Sequence, residues 1–150
     1  MATDGIRVER SGDRVILTLD HPPSNQLGPG QRQALIQAIG AAQDCAMIVL
    51  AGAGQGFSSA LPLEPDRAAP ALADLCHAVE ASRPPVIALL HGLVMGAGAE
   101  LALAAQARIA APGTRLALPQ VALGLCPEAG TSRRLPRLIG AAAALEMLIS

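Results

Sequence analysis

Two carboxylates stand where the surrounding residues are mostly small or aliphatic. Glu100 closes the run GAGAE at 96–100, and Glu128 lies in PEAG at 127–130. A carboxyl group held in such a place can take and return a proton. A helix opening at the first of these glycine runs would direct unpaired N–H groups and a positive dipole end outward, which suits a developing oxyanion. Glu100 would then lie in that helix's first turn, where an acid is also favoured simply as a dipole partner. Glu128 has the same two roles open to it: dipole partner of a helix beginning near Gly130, or a general acid or base held in a loop. Arg133, Arg134 and Arg137 follow as a cluster that suits a solvated helix face or a contact to an anion or partner.

Other chemistries lack their residues. His21, His77 and His91 have no metal-ligand spacing and no H-E-x-x-H occurs, so no metal is expected. Ser58 and Ser59 are not in a G-x-S-x-G elbow. A second GAG at 52–54, with Gly56, matches part of a dinucleotide fingerprint. No helix follows it at the right spacing and no downstream ribose acid is evident. All 11 basic residues are Arg, which excludes a lysine Schiff base and a P-loop lysine.

The elements that must position these groups alternate. IRVERSGDRVILTLDHP suggests a β-hairpin stopped by Pro22-Pro23. GQRQALIQAIGAAQD carries Leu35, Ile36 and Ile39 at helical spacing. AMIVLAGAG suits a buried strand, and AAPALADLCHAVEAS a helix with Leu72, Leu75, Cys76 and Val79 on one face. VIALLHG is a further strand, followed by a tight glycine turn and the helix AELALAAQA. ARIAAPGTRLALP gives two short strands around a PG turn, and TSRRLPRLIG with AAAALEMLIS gives two helical segments. This alternation predicts an α/β fold with largely parallel strands, and 150 residues fit one domain, 1–150.

Composition narrows the setting. With 51% hydrophobic residues but only 1% aromatic, the core must be built from Ala, Leu, Ile and Val. A net charge of −1 and a single aromatic, Phe57, argue against a nucleic-acid partner. Cys45, Cys76 and Cys126 form no C-x-x-C, and we expect reduced, mostly buried thiols in a cytoplasmic protein. The N-terminus MATDGIRVERSGD has no apolar signal region. The longest apolar stretches are broken before they reach membrane-spanning length, so no membrane partner is expected.

The segment PPVIALLHGLVMGAGAELALAAQARIAAPGTRLALPQVALGLCPEAGTSRRLPRLIG resembles the central signature of the crotonase superfamily, the enoyl-CoA hydratase/isomerases. RVILTLDHPPSNQL and IVLAGAGQGFSSALPL resemble its earlier segments, in the same order. The resemblance implies a spiral of ββα units and an acyl-CoA thioester substrate. Coenzyme A is then part of the substrate, and no cofactor is needed. It also implies that residues 1–150 form an N-terminal core domain without the family's C-terminal helical part, the region that helps build a homo-oligomer, trimer or dimer of trimers. By position in the motif, two backbone N–H groups of an oxyanion hole match Leu61 and Ala97. The family's two hydratase glutamates match Glu100 and, at the second place, Gln120. Glu128 occupies a third place, which carries the acid in several isomerase branches. A neutral amide at 120 cannot exchange a proton at neutral pH, so the pattern leans toward double-bond isomerisation over hydration. The departures, SSALP at 58–62 and Gln120, leave open an acyl-CoA-binding or assembly protein without turnover.

Overall fold

The structure is a computed structural model that describes residues 2–59 and 68–149. The chain opens with a two-residue strand β1 (Ala2–Thr3), then a hairpin of β2 (Ile6–Ser11) and β3 (Arg14–Leu19). Helix α1 (Pro29–Ala41) starts with proline in its first turn, where the missing N–H costs nothing. It buries Leu35 and Ile39, one turn apart. Strand β4 (Met47–Gly52) follows, then α2 (Leu72–Glu80), whose first turn is closed by the Asp74 carboxylate accepting from the Ala71 N–H at 2.8 Å.

From β5 onward the chain repeats one pattern. Strand β5 (Val86–Leu90), strand β6 (Leu93–Met95) and helix α3 (Ala97–Ala104) make one turn. Strand β7 (Ala107–Ala110), strand β8 (Arg115–Ala117) and helix α4 (Thr131–Ile139) make the next, and α5 (Ala141–Ile149) follows. The first strand of each pair joins the large sheet, ordered β1-β2-β3-β4-β5-β7. The second joins a small sheet in which β6 and β8 pair in parallel. An isolated bridge from Ser58 to Val94 extends the small sheet toward the segment after β4. The strands β3, β4, β5 and β7 are parallel, and only the N-terminal β1–β2–β3 part runs antiparallel. This is the expected α/β spiral of ββα units.

One detail departs from expectation, and one was not specified by it. The stretch between β5 and α3 is not a single glycine turn, because Leu93–Met95 form β6. The strands flanking the PG turn do not pair with each other: β7 pairs with β5, and β8 with β6. The core is aliphatic: Leu17, Leu19, Ile48, Leu50, Val86 and Ala88 of the large sheet share one buried cluster with Leu35 and Ile39 of α1 and Leu75 and Val79 of α2, and Phe57 is fully buried. Helix α3 is apolar around most of its circumference and is buried from Gly98 to Ala104. A helix of that kind belongs inside a fold, and any charge on it is buried with it. Among the described residues no helix is long and apolar enough to cross a membrane.

Candidate active site

The turn into α3 depends on two glycines. Gly96 caps the helix with φ of 58°, a left-handed conformation that glycine adopts without penalty. A Cβ on Gly98 would lie 2.4 Å from the Ser58 carbonyl oxygen, so only glycine lets the helix lie against that strand. Ser58 is itself fixed, since its carbonyl accepts from the Met95 N–H at 2.9 Å and its hydroxyl donates to the Asn25 carbonyl at 2.8 Å. The first hydrogen bond of α3 runs from the Glu100 N–H to the Gly96 carbonyl at 3.0 Å. The amides before it have no intrahelical acceptor. Ala97, expected to supply one oxyanion donor, is the first residue of α3 and half-buried, and its N–H has no partner among the described residues. Leu61, expected to supply the other, lies outside the described residues.

Glu100 sits in the first turn of α3 and is only 3% exposed. Three donors meet its carboxylate. Gln120 Nε2 donates to Oε1 at 3.0 Å, while the Ala129 N–H at 2.9 Å and the Thr131 hydroxyl at 2.8 Å donate to Oε2. All three come from the single segment 120–131, which leaves β8 and enters α4. A buried carboxylate needs this many donors to replace the water it has lost. The orientation of the Gln120 amide follows from the same chemistry, because its oxygen turned toward Glu100 would set two acceptors against each other. Its Oε1 is left buried with no partner among the described residues. Glu128 is exposed, one residue before the amide that holds Glu100. The structure therefore brings Glu100 and Gln120 into direct contact. It brings the backbone beside Glu128 against Glu100 through the Ala129 N–H, and among the described residues the Glu128 side chain makes no hydrogen bond with Glu100.

Two participants were missed in the sequence, Thr131 and Asn25, and a third, Arg134, was singled out there only as one of a cluster. Thr131, with no exposed surface, supplies the hydroxyl to Glu100. Asn25, at φ of 54°, donates from Nδ2 to the carbonyls of Ala53, Gly56 and Phe57, tying down the segment that leads to Ser58. Arg134 is only 9% exposed, unlike its exposed neighbours Arg133 and Arg137. Residues 133 and 137 are four apart and share a helix face, whereas 134 is rotated about 100° from 133 toward the interior. Only part of the arginine cluster is thus a solvated face. Arg134 Nε donates to Glu80 Oε1 at 2.7 Å, and its Nη1 donates to the Ala129 carbonyl. The hydrogen bond from Arg134 holds the Glu80 carboxyl below its ordinary range.

The cysteines are free but not uniformly buried: Cys76 is buried, Cys45 half-buried and Cys126 exposed. Burial pushes the Cys76 thiol up to about 12. His77 is exposed, and His91 Nε2 lies 3.1 Å from the Gly54 carbonyl. Among the described residues no three of His, Cys, Asp and Glu come together as a metal-ligand set.

Comparison with known proteins matches residues 11–150 to the enoyl-CoA hydratase/isomerase family. The chain is 39% identical over 140 residues to the peroxisomal bifunctional enzyme of Danio rerio, which covers 89% of this chain and 19% of that protein. It is 33% identical over 146 residues to a probable enoyl-CoA hydratase of Bacillus subtilis, covering 89% of this chain and 57% of the other. Among solved structures, DspI of Pseudomonas aeruginosa superposes with a TM-score of 0.91 at 32% identity, over 98% of this chain and 61% of that one. The chain thus spans less than two thirds of each protein's length.

Proposed function

The chain belongs to the enoyl-CoA hydratase/isomerase family, and from that premise we propose that it moves a proton on an enoyl-CoA thioester, with Glu100 as the acid–base group. In this reading the Ala97 amide and the Leu61 amide hold the thioester oxygen. Glu100 takes a proton from Cα of a 3-enoyl thioester, and the electron pair spreads onto that oxygen as an enolate. Glu100 then returns the proton at Cγ, which moves the double bond to C2–C3. On a longer conjugated acyl chain, Glu128 would return the proton farther out. The thioester itself acidifies the Cα proton, so the step calls for no further cofactor.

The observation that carries this reading is a buried carboxylate in the first turn of α3, on the helix whose opening Ala97 amide has no partner among the described residues. Oriented donors of that kind are worth roughly 2.7–4 kcal/mol each to an enolate-forming barrier. Migration is favoured over hydration because only Glu100 of the contacting pair can both accept and release a proton, since Gln120 is a neutral amide. A second reading, hydration, is favoured by one observation: the unpartnered Gln120 Oε1 beside Glu100. A water donating one hydrogen to each of those side chains would present its oxygen to Cβ.

The apolar residues exposed on α4 and α5, Leu138, Ile139, Leu145 and Ile149, support a homo-oligomer. The three free thiols support a reducing compartment, for which we propose the cytoplasm.

The test offers short 2-enoyl-, 3-enoyl- and 3,5-dienoyl-CoA and follows thioester absorbance. Turnover of the 3-enoyl or dienoyl substrate, with the dienoyl activity lost in Glu128→Gln, supports migration. Turnover of the 2-enoyl substrate alone, indifferent to Glu128→Gln, selects hydration. Tight binding of all three without turnover would make the protein an acyl-CoA binder and remove the acid–base role.

A further inference from the structure

We infer that Arg134 is a positioning residue for Glu100, clamping the chain at Ala129 so that its amide is aimed at the carboxylate. The inference rests on Glu100 being the acid–base group. Ala129 is held from both sides: its N–H donates to Glu100 Oε2 at 2.9 Å, and its carbonyl accepts from Arg134 Nη1. Fixing the carbonyl fixes ψ at Ala129, and the buried setting leaves that residue little freedom to reorient its amide.

The guanidinium is fixed in turn. Its Nε donates to Glu80 Oε1 at 2.7 Å, at the C-terminal end of α2. Glu80 also accepts from Arg133 Nη2 through both oxygens, at 3.2 and 3.1 Å. Gly130, at φ of 82°, completes the clamp. A Cβ there would lie 3.0 Å from Arg134 Nη1, so glycine leaves room for the side chain to fold back over its own helix start. The planar fork of arginine suits this double task, since one edge meets a carboxylate while another nitrogen meets a carbonyl. A lysine ammonium can hold either partner well but not both in this geometry. The chain of contacts therefore runs from α2 through Glu80, Arg134 and Ala129 to Glu100, joining the acid to a second helix that it does not touch through its own hydrogen bonds.

The experiment compares the full chain carrying Arg134→Gln, Arg134→Lys or Glu80→Gln with Arg137→Gln, which removes an exposed arginine from the same helix. The first readout is the Ala129 amide by NMR, which needs no turnover. The second is kcat and KM on whichever enoyl thioester the unaltered chain converts. We expect Arg134→Gln to shift the Ala129 amide proton upfield and to speed its exchange about tenfold. We expect kcat to fall by about tenfold or more while KM stays within about threefold, because misplacing an acid by less than an ångström penalises the reacting geometry more than binding. Arg134→Lys should recover part of both changes. An Ala129 amide and kcat in Arg134→Gln equal to those in Arg137→Gln would overturn the inference. If Arg134→Gln does not fold, Glu80→Gln decides: smaller changes in the same direction support the clamp, and none refutes it. If the unaltered chain converts no thioester, the functional reading fails while the amide readout still judges the clamp.

Discussion

Replacing Glu100 by its isosteric amide separates chemistry from architecture. The carboxylate accepts three hydrogen bonds, one at Oε1 and two at Oε2. In Glu100→Gln the new oxygen can take the Oε2 position and keep the Ala129 N–H and the Thr131 hydroxyl. The new NH2 then points at Gln120, which faces it with a donor. A half-turn of the Gln120 amide resolves that conflict, because Gln120 Oε1 has no partner among the described residues and nothing is lost by turning it inward. The count of three bonds is preserved. Each bond loses its charge assistance, roughly 1 kcal/mol, but the buried charge and its desolvation penalty also disappear. We expect stability to change by no more than about 2 kcal/mol, a shift of about 4–8 °C in Tm for a chain of this size. Proton transfer is lost outright, and kcat should fall by about 10²–10⁴-fold. Glu100→Ala, by contrast, strands three buried donors at about 1–3 kcal/mol each and should lower Tm well beyond that range. Calorimetry and thioester absorbance on the two variants make the assay. A folded Glu100→Gln with kcat within about tenfold of the unaltered chain would refute the acid–base role. A Tm for Glu100→Gln as low as that for Glu100→Ala would refute the compensation by Gln120.

Three further outcomes are expected. Thr131→Val keeps the shape of a residue with no exposed surface but removes one donor from a charged acceptor, so denaturant titration should show a loss of about 1.5–3 kcal/mol. Gly98→Ala would drive a methyl group to 2.4 Å from the Ser58 carbonyl oxygen and 2.5 Å from its Cβ. The helix must shift, at a cost of about 1–3 kcal/mol, and kcat should fall with the displaced Glu100. The Cys76 thiol keeps its proton up to about 12 when folded, against 9.0 for an ordinary thiol. Unfolded chains therefore release that proton first, and stability should decline as pH rises from about 9 toward about 12. Urea midpoints measured across that window should flatten in Cys76→Ala.

What the sequence disclosed, and what it withheld, follows from the range of each interaction. The hairpin, the alternation of strands with helices and the glycine-led start of α3 are written in neighbouring residues, and the superfamily resemblance rests on the same stretches. Glu100 stood out because it is one charge in an apolar helix. Strand β6 did not, since three residues, Leu93–Met95, are too few to show a period and owe their conformation to β8, more than twenty positions on. Thr131 looked like an ordinary helix-start residue because its partner is 31 positions away, and Glu80 lies 54 positions from Arg134. The thiols were expected to be mostly buried, but only Cys76 is; Cys126 lies exposed in the irregular segment before α4. The side chain of Glu128 likewise depends on a segment with no regular pattern, and sequence position alone could not tell whether it turns inward.

The donor pattern at Glu100 also decides which oxygen can act. Oε2 already accepts two hydrogen bonds, from the Ala129 N–H and the Thr131 hydroxyl, as many as its two lone pairs take. Oε1 accepts one, from Gln120, which leaves one of its two lone pairs without a side-chain or backbone donor among the described residues. A proton can therefore be taken up at Oε1 without breaking a bond, whereas uptake at Oε2 would displace a buried donor. With Glu100 as the proposed acid–base group, Thr131 and Ala129 would hold it, and Gln120 would contact the oxygen that reacts. This division makes Gln120→Glu more informative than its truncation. A second carboxyl at 120 can keep the 3.0 Å contact only by carrying a proton to donate, so the pair would share one proton instead of binding a neutral amide. It would also supply the acid that Gln120 cannot. Hydration of a 2-enoyl thioester should then rise in Gln120→Glu relative to the unaltered chain, measured by loss of thioester absorbance. Hydration that stays flat while the fold is retained would mean that the residue at 120 does not face the reacting carbons, and that Oε1 opens onto protein instead of substrate.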